Sequence, residues 1–323
     1  MNVLITSAGR RVSLVRAFQK ELNKIDYKAK VFAADANPVA SSACHAAHGF
    51  FQVPRLDNPA YFDELEKICV DNQISLVIPT IDTELLMMAQ RKKAFLKKGI
   101  RFVVADESFV QKCRDKRQIH DFFKANGVDI AKEYSKKDYQ LPLFIKPIDG
   151  SRSVDTYLIR EESDLTDYHF QNEKLMFLEY LDHKLFDEFT CDMYYDKTNT
   201  LRCVVPRKRI EVRDGEVNKG LTARNEIIPY LRERMSHIPG AIGCLTAQFF
   251  LHKTDGRVYG IEINPRFGGG YPLSYHAGAN FPAWLLQEYV KKQTVPDHFE
   301  DWESDLLMLR YDDEILVHGY TSQ

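Results

Sequence analysis

The sequence has no long apolar run and little net charge, and these absences exclude several classes of partner. No apolar segment of the 323-residue chain approaches the ~20 residues that a membrane-spanning helix needs. The formal net charge is only −2, so electrostatics gives no reason to expect nucleic acid or an anionic membrane as a partner. The chain opens on a strand-like run, not on a basic stretch with an apolar signal core. We therefore expect a cytoplasmic protein that binds neither membranes nor nucleic acid.

Two common site patterns are also missing. The six cysteines show no CxxC spacing, so we predict reduced thiols and neither a zinc site nor a disulfide framework. The loop at residues 7–12 has Gly9 but lacks the second and third glycines of the dinucleotide fingerprint, so NAD is not expected. Arg10 and Arg11 in this loop could hold an anionic substrate near a helix N-terminus, or they could be ordinary surface charges.

The first third of the chain alternates strands with helices, which predicts βαβ units and a parallel sheet. The alternation covers residues 3–6, 30–35, 76–80 and 101–105 as strands and 12–22, 58–72 and 83–98 as helices. In open sheets of this kind, ligands bind beyond the carboxyl ends of the strands. We therefore expect substrate specificity to depend on polar residues near those ends, namely Arg10, Thr80, Asp82 and Glu84, together with the loop at 266–274.

From residue 106 the pattern changes. We predict a helix over 109–126 that ends at Gly127, a typical C-cap. Strands separated by Gly and Asp turns follow, then a helix near 281–291, and residues 306–317 predict a closing hairpin. The length allows roughly two domains, and no repeat or low-complexity linker interrupts the chain.

Two predicted strands late in the chain carry the most informative residues. They are joined by Asp255-Gly256, a strong hairpin signal. Folding about this turn places Gln248 nearly opposite Glu262, and Asn264 shares the face of Glu262 because side chains in a strand repeat every two residues. Oxygen ligands of this kind suit Mg²⁺, which takes one or two carboxylates and completes its shell with phosphate. The alternative is a set of unrelated polar residues on a solvated face.

The second strand ends in a loop that carries a positive charge. Pro265 has no N–H to continue the ladder, and Arg266 and three glycines at 268–270 follow it. The guanidinium of Arg266 is thus expected near the predicted carboxylate and amide ligands, at the end of the strand. The alternative is an ordinary glycine-rich turn.

Two lysines could hold phosphates, although each is weak by itself. Lys146 ends a short apolar strand before a small-residue loop at 148–153, where backbone N–H groups can approach anionic oxygens closely. Lys116 lies on the preceding helix. Solvated lysines are the alternative at both positions.

Two acidic residues and one arginine lie on or beside predicted strands between these lysines and the hairpin. A carboxylate at Glu179 or Glu188 could hydrogen-bond ribose hydroxyls. Arg209 belongs to a basic run, and such runs are usually solvated faces.

The order of these pieces closely resembles the ATP-grasp superfamily, particularly the branch of the carbamoyl-phosphate synthase large subunit and other carboxylate–amine ligases. The most specific element is Gln248 followed by Glu-Ile-Asn-Pro-Arg at 262–266, and the resemblance covers nearly the whole chain. It implies an α/β and α+β fold. The implied domains are a Rossmann-like pre-ATP-grasp domain at 1–108, an ATP-grasp lid subdomain at 109–182 and a C-terminal subdomain at 183–323.

The resemblance implies a role for each candidate residue. For ATP binding it implies Lys116, Lys146, Ser151, Ser153, Glu179, Tyr180, Leu181, Glu188 and Arg209. For Mg²⁺ (or Mn²⁺) it implies Gln248, Glu262 and Asn264. For catalysis it implies Lys146 and Arg266, with Arg266 stabilising the transferring phosphoryl group or the acyl phosphate. The glycines at 268–270 would let a substrate approach the backbone.

The sequence departs from the family pattern at two places. Arg152 stands where the phosphate loop usually has a second glycine, so this loop closes differently from the usual one if the arginine restricts it. The connector between Tyr180 and Glu188 lacks the usual glycine, which weakens the match at Glu188.

The resemblance implies an ATP-dependent ligase that joins a small-molecule carboxylate to an amine or thiol through an acyl phosphate. Two alternatives stay open: a phosphotransferase that releases a phosphorylated product, and a nucleotide-binding regulator without chemistry. The complete metal set with Arg266 favours an enzyme, since a sensor could lose any of these residues. The sequence does not identify the substrates, and it leaves the oligomeric state open, with a homodimer as one option.

Overall fold

The N-terminal part of the chain forms a parallel sheet with helices. The structure is a computed structural model and describes residues 1–149, 154–213 and 216–319. Its first elements are β1 (Asn2–Thr6), α1 (Val12–Asn23), β2 (Val31–Asp35), α2 (Ser42–Ala46), β3 (Phe50–Gln52), α3 (Tyr61–Asp71), β4 (Ile74–Ile78), α4 (Asp82–Lys97) and β5 (Arg101–Phe102). The strands lie in the order β3-β2-β1-β4-β5 and all pair in parallel. The predicted parallel sheet is confirmed, although its last strand is shorter than expected.

Burial explains why the central strands form. β1 and β4 are nearly continuous apolar runs, which is typical of parallel strands that are covered on both faces. Val3, Leu4 and Ile5 are fully buried, and their core continues into the large C-terminal sheet. Within the described ranges, no helix is long and apolar enough to cross a membrane.

The single helix predicted over 109–126 is wrong, because two helices occupy this segment. α5 (Glu107–Arg114) and α6 (Lys116–Ala125) are separated at Asp115, whose backbone is extended. The Asp115 carboxylate accepts hydrogen bonds from the first free N–H groups of α6, which is the usual role of an N-cap. The break makes Lys116 the first residue of α6. A short strand, β6 (Asp129–Ile130), follows.

A small antiparallel sheet comes next. Its elements are β7 (Glu133–Tyr134), β8 (Leu143–Pro147), β9 (Tyr157–Ile159), α7 (Asp167–Gln171) and β10 (Leu175–Glu179). The strand order is β7-β10-β8-β9. One face has an apolar core of its own, formed by Leu143, Ile145, Ile159, Leu175 and Phe177. Because side chains alternate along a strand, the other face of β8 carries Phe144 and Lys146.

A seven-stranded sheet contains most of the remaining chain. The strands and helices of this part of the chain are β11 (Phe186–Tyr195), β12 (Leu201–Arg213), β13 (Glu216–Thr222), α8 (Ile227–Arg234), β14 (Gly243–His252), β15 (Val258–Asn264), α9 (Tyr271–His276), α10 (Phe281–Tyr289) and β16 (Leu307–Leu309). The strand order is β16-β13-β12-β11-β14-β15-β6. All neighbours are antiparallel except β6, which runs parallel to β15.

The closing hairpin predicted over 306–317 is wrong. β16 pairs with β13, and residues 310–317 contain no strand. The edge of β13 supplies the hydrogen-bonding partners of β16. A strand that directly follows β16 in the sequence is therefore not needed to pair with it. A local alternation pattern cannot distinguish these two kinds of partner.

Helix α6 packs directly on β15 through one aromatic contact. Phe123 lies over Gly260, where a Cβ atom would come within 2.8 Å of the phenyl ring. The same ring makes an edge contact with Phe249, with 5.9 Å between ring centroids. This contact fixes the distance between the helix that begins at Lys116 and the strand that carries Glu262.

We predict that Gly260→Ala destabilises the protein by about 1–3 kcal/mol, because the added methyl group overpacks this contact. Urea unfolding measures the change. In a Phe123→Leu background the ring is gone, so the same alanine substitution should cost clearly less. Equal costs in the two backgrounds would show that the contact does not limit the approach of α6 to β15.

Candidate active site

A cavity of about 1060 Å³ lies where the three sheets meet, and the predicted site residues surround it. Its walls include every described residue that was predicted to bind ATP or metal or to act in catalysis, namely Lys116, Lys146, Glu179, Tyr180, Leu181, Glu188, Arg209, Gln248, Glu262, Asn264 and Arg266. Ser151 and Ser153 lie outside the described residues. Residues that are far apart in the chain are thus brought together around one space, which is large enough for a small ligand.

The predicted metal ligands lie on the β14–β15 hairpin. Gln248 pairs with Glu262 and Thr246 pairs with Asn264, so the predicted register is confirmed. The Asn264 side-chain amide donates a hydrogen bond to Glu262 Oε1 at 3.1 Å. One carboxylate and two amides form this donor set, and the described ranges hold no group of three or more His, Cys, Asp or Glu suited to a metal. Such a set fits a Mg²⁺ ion that shares its shell with phosphate oxygens.

Lys146 is buried at the end of β8, opposite the hairpin. Its side chain is 6% exposed. Burial lowers the pKa of Lys146, Glu262 partly opposes that effect and the charge of Lys116 adds to it, so that the pKa is about 8. A buried ammonium in this position is well suited to an anionic ligand, because a phosphate would stabilise its charged form.

His120 is a cavity residue that the sequence analysis missed. It lies one turn after Lys116 on α6, and this i, i+4 spacing was the available signal. Burial, with the charge of Lys146, lowers its pKa to about 3, so the imidazole is neutral at physiological pH. Its Nδ1 atom has no hydrogen-bond partner among the described residues.

Glu188 and Arg209 form an ion pair at another side of the cavity. Arg209 Nε lies 3.0 Å from Glu188 Oε1, and Arg209 Nη1 donates to Thr190 Oγ1 at 3.2 Å. Burial raises the pKa of Glu188, and Arg209 opposes that effect. The basic run that contains Arg209 is therefore not simply a solvated face.

Arg266 links the hairpin to the N-terminal sheet. Its Nη2 atom lies 2.5 Å from Asp82 Oδ2, at the start of α4. The side chain is 15% exposed, and its Nε atom has no partner within the part of the chain that the structure describes. Nη2 is thus anchored by Asp82, Nη1 donates to the Phe267 carbonyl at 3.3 Å, and the residue lines the cavity.

A buried ion pair that the sequence analysis missed lies behind the glycine loop. Arg207 Nε and Nη2 donate to the two oxygens of Asp192 at 2.8 and 3.1 Å, and both side chains are at most 1% exposed. Thr246 and Ser274 also donate to Asp192, at 3.2 and 2.6 Å. The sequence placed Arg207 in a basic run and gave no sign of a buried partner fifteen positions earlier.

The glycines at 268–270 have a structural reason that is independent of any substrate. A Cβ atom at Gly268, Gly269 or Gly270 would meet, respectively, the side chains of Thr246, Glu216 and Arg207. The space beside these glycines is therefore filled by the protein's own polar side chains.

Two of the residues expected to set specificity serve the local backbone instead. Glu84 is completely buried and accepts hydrogen bonds from the N–H groups of Thr80 and Ile81 and from the Ser7 hydroxyl, at 2.7, 3.2 and 2.9 Å. The Thr80 hydroxyl donates to carbonyl groups at the end of β1. These bonds join the ends of β1 and β4, so Glu84 is not available to a substrate, and Arg10, Asp82 and the loop at 266–274 remain the candidates.

Sequence comparisons cover both parts of the chain. Residues 3–103 match the family model of the PylC-like N-terminal domain, and residues 171–309 match the model of an ATP-grasp in the biosynthetic pathway with Ter operon. No curated protein matches the chain in sequence.

Similar folds occur among solved structures. The N5-carboxyaminoimidazole synthetase of Staphylococcus aureus, solved with ADP, is 19% identical with a TM-score of 0.68, over 93% of this chain and 79% of that one. The L-amino acid ligase of Bacillus licheniformis is 17% identical with a TM-score of 0.67, over 90% and 74%. A pyruvate carboxylase of Rhizobium etli is 15% identical with a TM-score of 0.64, over 86% of this chain but only 27% of its own length.

The predicted resemblance is confirmed by these matches and by the sheet arrangement. The chain is thus similar in sequence to PylC-like N-terminal domains over residues 3–103 and to an ATP-grasp domain over residues 171–309, and its fold is that of ATP-grasp proteins.

Proposed function

We propose that the protein is an ATP-dependent ligase that joins a small-molecule carboxylate to an amine or thiol through an acyl phosphate. The observation that carries this proposal is the register of β14 and β15, which puts Gln248, Glu262 and Asn264 on one cavity wall. Similarity to a synthetase solved with ADP and to an amino acid ligase supports ATP as the energy source and a ligation as the reaction.

The residues of the site would have different roles in phosphoryl transfer. Gln248, Glu262 and Asn264 would hold Mg²⁺, which neutralises charge on the ATP phosphates when it is bound. Lys146 would hold the phosphates in place with its buried ammonium group. Arg266, anchored by Asp82, would stabilise the charge that develops on the transferring phosphoryl group.

The reaction would proceed in two displacements. A carboxylate oxygen of the substrate attacks the γ-phosphorus, and the bond to ADP breaks. The amine or thiol then attacks the acyl carbon, phosphate leaves, and the nucleophile loses its proton. Positioning and charge neutralisation supply most of the rate enhancement in such reactions.

We predict that Glu262→Gln and Asn264→Ala each lower ADP release by roughly 100-fold or more, because each removes or weakens an oxygen ligand of the metal. ADP release is measured with a panel of carboxylates and with hydroxylamine as the nucleophile. Glu233→Gln, which changes an exposed carboxylate in the same way, should keep wild-type activity. Full turnover by both site variants would reject the metal assignment.

Hydroxylamine also separates the ligase from a phosphotransferase. An acyl phosphate yields a hydroxamate, whereas a stable phosphorylated product does not. Hydroxamate formation from any acid of the panel supports the ligase, and ADP release that never yields a hydroxamate contradicts it.

We predict that ADP affinity falls as pH rises above about 8, because the ammonium of Lys146 has a pKa of about 8 in the free protein and only its charged form attracts phosphate. Below the pKa the affinity should be nearly constant, and above it the affinity should fall by up to roughly tenfold per pH unit. Titration calorimetry from pH 7 to 9.5, a range of about two and a half units, measures this dependence.

Two variants control for other titrating groups. Lys146→Arg keeps its charge throughout this range, so its affinity should change little with pH. Lys146→Met should bind ADP weakly at every pH. A wild-type affinity that is as flat as that of Lys146→Arg would contradict the assignment.

A further inference from the structure

A cluster of arginines on one side of the cavity has no role in the reaction described above, apart from Arg266 itself. This arginine wall consists of Arg10, Arg11, Arg266 and Arg310. Arg10, Arg11 and Arg266 line the cavity. Arg310, just after β16, joins them because it contacts the Gly269 carbonyl and Glu216.

Among the residues that the structure describes, two carboxylates pair with the arginine wall. Glu216 lies 3.4 Å from Arg11 Nη1 and 3.0 Å from Arg310 Nη1. Asp82 pairs with Arg266. Arg10 is exposed to solvent, and the three partly buried guanidinium groups of Arg11, Arg266 and Arg310 exceed these two acids by one positive charge. An excess of buried or half-buried positive charge is unfavourable unless an anion balances it.

The electrostatics of Arg11 agree with this excess. Its side chain is 18% exposed. Burial lowers the pKa of Arg11, Glu216 and Asp82 oppose that effect, and the charges of Arg266 and Arg310 add to it. Arg11 also precedes the first turn of α1, which contains no acidic residue, so the positive end of that helix adds to the same field.

Unsatisfied donors lie directly behind the glycine loop. Arg207 is 1% exposed and paired with Asp192, but its third nitrogen, Nη1, faces Gly270 and has no acceptor among the described residues. Arg266 Nε is also buried and has no acceptor among the described residues. A buried donor without an acceptor costs about 1–3 kcal/mol, so both groups favour an oxyanion nearby.

Glu216 shows which chemical group this wall accepts. Its two oxygens contact two guanidinium groups that come from opposite ends of the chain. The spacing of Arg11 and Arg310 is therefore suited to one carboxylate or one phosphate. Glu216 is about one-third exposed at the start of β13, so a ligand can reach the same donors by replacing it or by lying beside it.

We propose that the arginine wall binds a second anionic group, a carboxylate or a phosphate, on the acid that the enzyme activates. This proposal rests on the proposed function. Arg266 would contact the reacting carboxylate. Arg11, which interacts electrostatically with Arg266, would contact the second group. The substrate is then a small acid with two anionic groups, not a simple monocarboxylic acid.

Titration calorimetry with the MgADP-bound protein tests the proposal. Glutarate and pentanoate have the same chain length and differ only in the second carboxylate, so glutarate should bind roughly tenfold more tightly or better. Arg11→Met should reduce glutarate binding to the level of pentanoate. The phosphonate analogue of glutarate tells whether the wall prefers a carboxylate or a phosphate.

Matched variants exclude a general loss of charge or of folding. Arg16→Met changes an exposed arginine on the same helix and should leave glutarate binding unchanged. Arg11→Met should keep the wild-type affinity for MgADP, which shows that it is folded. Glu216→Gln removes the competing carboxylate and should tighten glutarate binding by roughly threefold or more.

The outcomes separate this proposal from the proposed function. Equal affinities for glutarate and pentanoate, or unchanged glutarate binding in Arg11→Met, would overturn the second-anion site even if ADP release and hydroxamate formation were normal. Tight, Arg11-dependent glutarate binding supports the second-anion site. If no acid then gave ADP release, the proposed function would be rejected, and the second-anion site would still be supported.

Discussion

The pairing register of β14 and β15 is the constraint on which the site depends. Side chains alternate along a strand, so a slip of one residue would turn Glu262 and Asn264 away from Gln248 and from the cavity. Several contacts hold this hairpin in place. α6 packs on it through Phe123, and Thr246 connects it to Asp192 and to the Arg266 carbonyl. The geometry of Gln248, Glu262 and Asn264, the proposed metal ligands, is thus set by ordinary sheet and core packing.

Charge connects the N-terminal sheet to the ATP-grasp part of the chain. Asp82 forms an ion pair with Arg266, and Arg11 forms an ion pair with Glu216 at the cavity wall. Such partly exposed pairs add little to stability, but they determine where guanidinium groups lie. The buried Asp192–Arg207 pair is different, because removing one partner would leave an uncompensated charge in the core. It holds the glycine loop, and hence Arg266, against the large sheet.

Local sequence signals predicted most elements for clear physical reasons. Apolar runs separated by helical periodicity gave the parallel sheet, and Asp255-Gly256 gave the β14–β15 hairpin together with its register. The failures occurred where the deciding partner lies elsewhere. Asp115 interrupts a helix because it caps the next one, and β16 pairs with β13 instead of a neighbouring strand. No periodicity in the local sequence contains that information.

The sequence by itself determined that Gln248, Glu262 and Asn264 share one site, because they stand at fixed spacings on two adjacent strands, and Arg266 follows in the next loop. Only the tertiary structure decided which other charges belong to the site. Glu84 was a specificity candidate but bonds to its own loop, whereas Arg207, His120 and Glu216 lie at the cavity without a motif. The physical reason is distance: covalent spacing governs contacts within a hairpin, while burial and charge pairing between remote segments depend on how the sheets pack.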